Sequence, residues 1–124
     1  MATVYTTGGR TITTNRLRGT GSEPNFIAWG TGAGTAAVGD ITLFTESAQE
    51  SRTTGTSSSV LTSTTGDTYQ VVGTITVATA GKSITNAGLF DASTSGNLFM
   101  KGDFGTIALN VGESISFTIK VQFS

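Results

Sequence analysis

Any acid–base or nucleophilic chemistry in this chain must proceed without histidine and without cysteine, because its 124 residues contain neither. That removes the commonest general base, the usual partner of a serine nucleophile, the leading zinc ligand and every thiol reaction. What remains is eight carboxylates, seven lysines and arginines, and a large stock of hydroxyls. Two carboxyls facing each other across a sugar bond would suffice for glycoside cleavage. Here they are scattered among turn-forming residues, which reads as solvated surface, so no catalytic residue is assigned and the chain is not expected to be an enzyme. Asp91 and Asp103 flank a hairpin, and paired oxygen ligands suit calcium. An Asp beside Gly or Ser also caps turns by accepting from backbone amides. That simpler reading leaves no metal and no cofactor expected. Gly30-Thr31-Gly32-Ala33-Gly34 has the look of a phosphate cradle, but no Gly-Lys-Ser/Thr follows it and no helix start presents amides, so it reads as a tight loop.

One charge asymmetry is left. Residues 1–18 hold Arg10, Arg16 and Arg18 with no acid, and guanidinium forks suit carboxylates on a protein partner. The alternative is solvated side chains on an ordinary first strand. Trp29 joins these arginines as a candidate partner contact, with core packing as its other reading. The remaining aromatics fall on apolar strand faces and read as core.

The elements that must position these residues are strands. Ser114-Ile115-Ser116-Phe117-Thr118-Ile119-Lys120-Val121-Gln122-Phe123 alternates polar and apolar without a fault, the signature of a strand with one buried face. Asn25–Trp29 reads as a short strand buried on both faces, following Pro24, and Gly30–Gly39 as a loop. Ile41–Phe44 leads into Thr45–Glu50, where a brief helical turn competes with irregular structure because Thr and Ser are poor helix formers. Strands follow over 57–64, 67–77, 83–90, 98–104, 106–109 and 114–123, with turns at 80–82, 91–97 and 110–113. Gly73 interrupts its strand and marks a bulge or a close crossing. Residues 1–24, with apolar residues widely spaced, read as an irregular N-terminal arm or a first strand. Residues 25–124 then form one antiparallel β-sandwich, jelly-roll-like, of about eight strands, since tight turns cannot supply parallel crossovers.

Composition agrees with that class. Thr (25), Ser (13) and Gly (17) make up nearly half of the chain, whereas charged residues are only 12%. Threonine is β-branched and suits the solvent face of a strand. A net charge of −1 with no basic block argues against nucleic acid as a partner. No run of eighteen apolar residues occurs and the first residues lack a signal-peptide pattern, so neither a membrane partner nor export is expected.

Phe26-Ile27-Ala28-Trp29-Gly30-Thr31-Gly32-Ala33-Gly34-Thr35, then Asp40 to Glu50 with Leu43 and Glu46, then Arg52, Asp67-Thr68, Ile84-Thr85-Asn86-Ala87-Gly88-Leu89-Phe90-Asp91 and Gly96-Asn97-Leu98-Phe99 form a pattern. Together with the closing alternating strand it resembles small virion structural proteins of tailed bacteriophages, over residues 25–124. The resemblance implies a non-enzymatic β-sandwich located in the virion and assembled in the host cytoplasm. Its leading form is a capsid cement or decoration protein on the outer surface of the major capsid protein lattice, a homo-oligomer with a trimer favoured. The alternative is a tail-tip or fibre component whose loops Gly30–Gly39 and Asp91–Asn97 touch a host receptor. In the cement reading the N-terminal arm reaches onto the lattice, and removing residues 1–20 is expected to release the protein without unfolding it.

Overall fold

Alternating apolar and polar residues produce eight strands in two antiparallel sheets packed face to face, an all-β sandwich. The computed structural model describes residues 2–124. The larger sheet contains, in spatial order, β1 (Thr3–Tyr5), β7 (Leu98–Leu109), β6 (Lys82–Phe90), β2 (Phe26–Gly30) and β3 (Thr53–Thr54). The smaller contains β4 (Thr56–Val60), β5 (Thr68–Thr76) and β8 (Ser114–Gln122). One helix, α1 (Thr7–Leu17), follows β1.

The core lies between the sheets, where Ile27, Trp29, Val71, Ile75, Ile84 and Leu89 are buried. β5 and β8 show why the alternation works. Their inward residues meet the core, while on the outer face Thr74 pairs with Ser116 and Thr76 with Ser114 through hydroxyl hydrogen bonds. Cross-strand pairs of this kind stabilise a sheet by a few tenths of a kcal/mol to about 1 kcal/mol each. Residues 86–90 of β6 are buried on both faces, because a second apolar cluster of Ala28, Leu43, Phe90 and Leu98 covers the outer side of the larger sheet.

Gly73 is a close crossing. Its pairing with Phe117 is regular, and a Cβ there would press on Ile27 Cδ1 at 2.8 Å. The two strands expected over 98–104 and 106–109 are one, β7. Gly105 marks a register shift opposite Thr85, so the ladder bends and resumes at Ile84–Ile107. Thr45–Glu50 is not helical: Thr45 takes a φ of 51° and Glu46 bridges to Gly30, which together interrupt any turn of helix.

The N-terminal stretch differs most from its expectation as an irregular arm. β1 pairs with β7, as a first strand would, and α1 closes one end of the sandwich with Ile12 in the core. Thr-Gly-Gly-Arg-Thr-Ile-Thr-Thr is a poor helix former, so tertiary contacts must stabilise it. Thr6, fully buried, is the N-cap: its Oγ1 accepts from Gly9 N at 2.9 Å and donates to Leu98 O at 2.6 Å. Gly9 lets the helix touch the sheet, since a Cβ there would overlap Phe99 O and press on the Tyr5 ring. Removing residues 1–20 would therefore strip an edge strand and core contacts, and is not a clean release of an arm.

Thr6→Ala removes the N-cap bond from Gly9 N and the hydroxyl's bonds to Leu98 O and Phe99 O. A loss of about 1–2 kcal/mol is expected, or roughly 4–9 °C in Tm. Thermal unfolding measures it, and faster amide exchange within α1 localises it.

Candidate functional site

Residues 31–52 cross the outer face of the larger sheet as an irregular segment; Lys101 and Arg52 pin it there, and Lys82 holds its Glu50 end beside the inward Trp29 ring. Lys101, 1% exposed, donates from Nζ to Asp40 Oδ2 and Thr42 O, both at 2.9 Å, and lies 3.3 Å from the centre of the Phe44 ring. Arg52 makes a bidentate pair with Glu46 (2.9 and 3.0 Å) and stacks 3.6 Å from the Phe90 ring centre. Its Nη1 also donates to Ala92 O and Ser95 O, which ties the 91–97 turn to the same clamp. Lys82 Nζ reaches both oxygens of Glu50 at 2.7 Å.

Glu50 is the most heavily bonded carboxylate of the three. It also accepts from Ser47 Oγ, Trp29 Nε1 and Ala78 N. Burial pushes its pKa up, but the hydrogen bonds, led by that of Lys82, outweigh burial and hold it at about 2. The Ala37 amide, with Lys101, likewise holds Asp40 below the usual carboxylate range.

Asn86 supplies the neutral counterpart of these clamps. Fully buried, it accepts from Phe44 N and donates to Phe44 O, both at 3.0 Å, so its amide copies one step of a β ladder. The glycines around it make room: a Cβ at Gly30 would overlap Phe44 O, and one at Gly88 would meet Met100 O at 2.7 Å. The blocks that carry the phage-protein resemblance, Trp29-Gly30-Thr31-Gly32, Asp40, Glu46, Glu50, Arg52 and Asn86-Ala87-Gly88, thus bear on one task. They hold segment 31–52 onto the sheet. They are fold-determining residues.

The other carboxylates serve turns. Asp67 accepts from the amides of Thr62, Ser63 and Thr64, which, led by Thr62, depress its pKa well below the ordinary range. Asp91 binds Asn97 through both oxygens. Asp103 accepts from Ala36 N at 2.7 Å and Ala2 N at 3.2 Å, and the Ala36 bond is the main cause of its lowered pKa. Asp91 and Asp103 therefore bond different donors, Asn97 for Asp91 and the Ala2 and Ala36 amides for Asp103. Among the described residues no group of three or more carboxylates is placed to hold a metal ion.

The four candidate partner contacts separate. Trp29 is 1% exposed, edge-on to Phe117 and bonded to Glu50, so it is core and offers nothing to a partner. Alternation could not decide this, because β2 is buried on both faces. Arg10, Arg16 and Arg18 are all exposed. Arg10 lies 6.0 Å from the Tyr5 ring centre and Arg16 donates to Gly21 O. Beside them Leu17 is 84% exposed, above a cleft of about 300 Å³ lined by Ile12, Pro24, Tyr69, Phe99 and Phe123, with Glu23 also on its wall. No local pattern marks Leu17 as exposed, because its place in the fold depends on a helix that the local sequence does not favour.

No protein-family model and no curated protein matches this chain. The class that the fold defines is the all-β sandwich with one short helix.

Proposed function

We propose that this protein is a non-enzymatic phage virion component, a capsid cement protein that binds the outer surface of the major capsid protein lattice and stabilises the head. The observation that supports this reading best is the α1 end of the sandwich. Exposed Arg10, Arg16 and Leu17 stand on a helix whose N-cap and Ile12 are locked into the core, and exposed Arg18 is its C-cap. A rigid basic and apolar patch binds an acidic surface without first ordering an arm, so less binding energy is lost to entropy. Many copies, each with a small interface, would brace a repetitive lattice. The residue resemblance supplies the lattice; the helix end supplies the contact.

The test is co-sedimentation with capsids lacking the protein. Arg10→Glu, Arg16→Glu and Arg18→Glu together are expected to weaken binding about 10- to 100-fold at physiological salt. The exposed positions predict no more than a small change in Tm. Full occupancy by the triple variant would remove α1 from the interface. Labelling that places the protein on tails would favour the tail-tip or fibre reading, in which the Gly30–Gly39 and Asp91–Asn97 loops face the host.

A further inference from the structure

The smaller sheet ends at β8, which pairs with β5 on one side and, among the described residues, with no strand on the other. Phe123 N donates to Asp67 O, and Glu113 O accepts from Val77 N, so odd-numbered residues of this strand turn their backbone groups toward β5. The amides and carbonyls of Ser114, Ser116, Thr118, Lys120 and Gln122 therefore point outward along nine residues of regular strand. A long, regular, nearly uncharged edge is a template for another strand, and natural edges are usually shortened, bulged or charged to prevent this.

The core beside this edge is incomplete. The inward residues of β5, Val71 and Ile75, are 0–3% exposed, whereas Ile115, Phe117, Ile119 and Val121 of β8 are all only partly buried. A cleft of about 360 Å³ opens between the sheets there, lined by Thr3, Ala87, Met100, Phe104, Phe117 and Ile119 among others.

We infer that the β8 edge pairs with β8 of a second copy, antiparallel, about a two-fold axis at Thr118. In that register Ile115 faces Val121, Phe117 faces Ile119 and Ser116 faces Lys120, so apolar meets apolar on the inner side. The single charged residue of the strand meets a hydroxyl, never its own copy. The outward groups of Thr118 match those of its mate as a hydrogen-bonded pair. The two three-stranded sheets become one of six, and each copy screens the other's open cleft. A nine-residue strand is about 30 Å long and the sandwich side about 20 Å deep, so each copy covers about 600 Å² and the pair about 1,200 Å², the lower end for stable association. A two-fold contact joins like surfaces and closes at two. The trimer implied by the resemblance would use different surfaces.

Light scattering on the full chain at about 100 µM is expected to give twice the chain mass. Thr118→Pro removes an outward amide and leaves the β5 ladder intact, which should raise the dimer dissociation constant at least about tenfold. Should that variant unfold, Ser116→Lys serves instead, placing two lysines opposite two lysines, with Ser116→Glu as the charge-reversed control that keeps the dimer. The chain has no cysteine. Thr118→Cys should oxidise to a covalent dimer, since Cα atoms about 5.5 Å apart across such a pair suit a disulfide; Ser93→Cys, on an exposed turn, should not. A monomer at that concentration overturns the proposal. So does a dimer or trimer whose mass is unchanged by Ser116→Lys, or a folded edge variant that loses only capsid binding, which would assign the edge to a strand of the capsid protein. The mass and cross-linking measurements do not depend on the capsid reading.

Discussion

Glu50→Ala is expected to destabilise the fold by about 3 kcal/mol, the scale for removing one partner of a buried ion pair. Lys82 and Glu50 side chains are only 9% and 4% exposed. Truncation leaves the Lys82 ammonium with Ser47 and the exposed Gln49 oxygen, and leaves the Trp29 indole N–H and Ala78 amide without their carboxylate. Tm should fall by roughly 12–15 °C. A second measurement isolates the carboxylate. Its pKa is about 2 in the folded protein against an ordinary 4.5, a depressed value. Its contribution is therefore complete above about pH 4.5 and lost as pH falls through about 2. Wild type should lose stability across that window, and Glu50→Gln should lose less. Equal acid sensitivity in the two proteins would mean that Asp40, Asp67 and Asp103, also depressed, account for it instead.

Gly30→Ala carries the other large effect. Its new methyl would overlap Phe44 O and crowd the Asn86 amide, which lies within 3.0 Å of the methyl position. Phe44 O is backbone, so segment 42–46 must move and the two Asn86 hydrogen bonds to Phe44 must lengthen. Overpacking of this kind costs about 1–3 kcal/mol, and leaving Asn86 imperfectly bonded in a buried site adds to it. We expect a total of about 3 kcal/mol in urea unfolding. Asn86→Leu should be similarly costly, because it orphans Phe44 N and leaves Phe44 O with the Gly32 amide alone. The double variant should lose clearly less than the sum, since both act on the same contact. Simple additivity would show that Gly30 and Asn86 support different parts of the segment. Both variants should keep the α1 and β8 surfaces, which separates stability from partner binding.

The clamps also explain why so little chemistry was legible at the outset. Scattered carboxylates read as solvated turns, and for Asp67 and Asp91 that is what they are. Asp40, Glu46 and Glu50 look no different in sequence, yet each meets a cation on the sheet or near it. Lys101 and Asp40 are 61 residues apart and Lys82 and Glu50 are 32 apart. No local pattern encodes a pair at such a distance, and only the folded register of β6 and β7 creates it.

What the amino-acid order determined by itself was the sandwich: the strict alternation of β8, the turn residues between β4 and β8, and the antiparallel pairing that short turns impose. These depend on neighbours in sequence, where period two and turn chemistry act. Three things depended on the tertiary structure. α1 exists because Thr6, Gly9 and Ile12 find the β7 backbone and the core, against the helix propensity of its own residues. Trp29 is interior because Glu50, near the end of segment 31–52, and Phe117 of β8 both meet its ring between the sheets. β8 is an edge because the smaller sheet stops at three strands, a count that no single strand's pattern contains. Burial and edge position are properties of how elements are stacked, and stacking is decided by contacts between residues far apart in the chain.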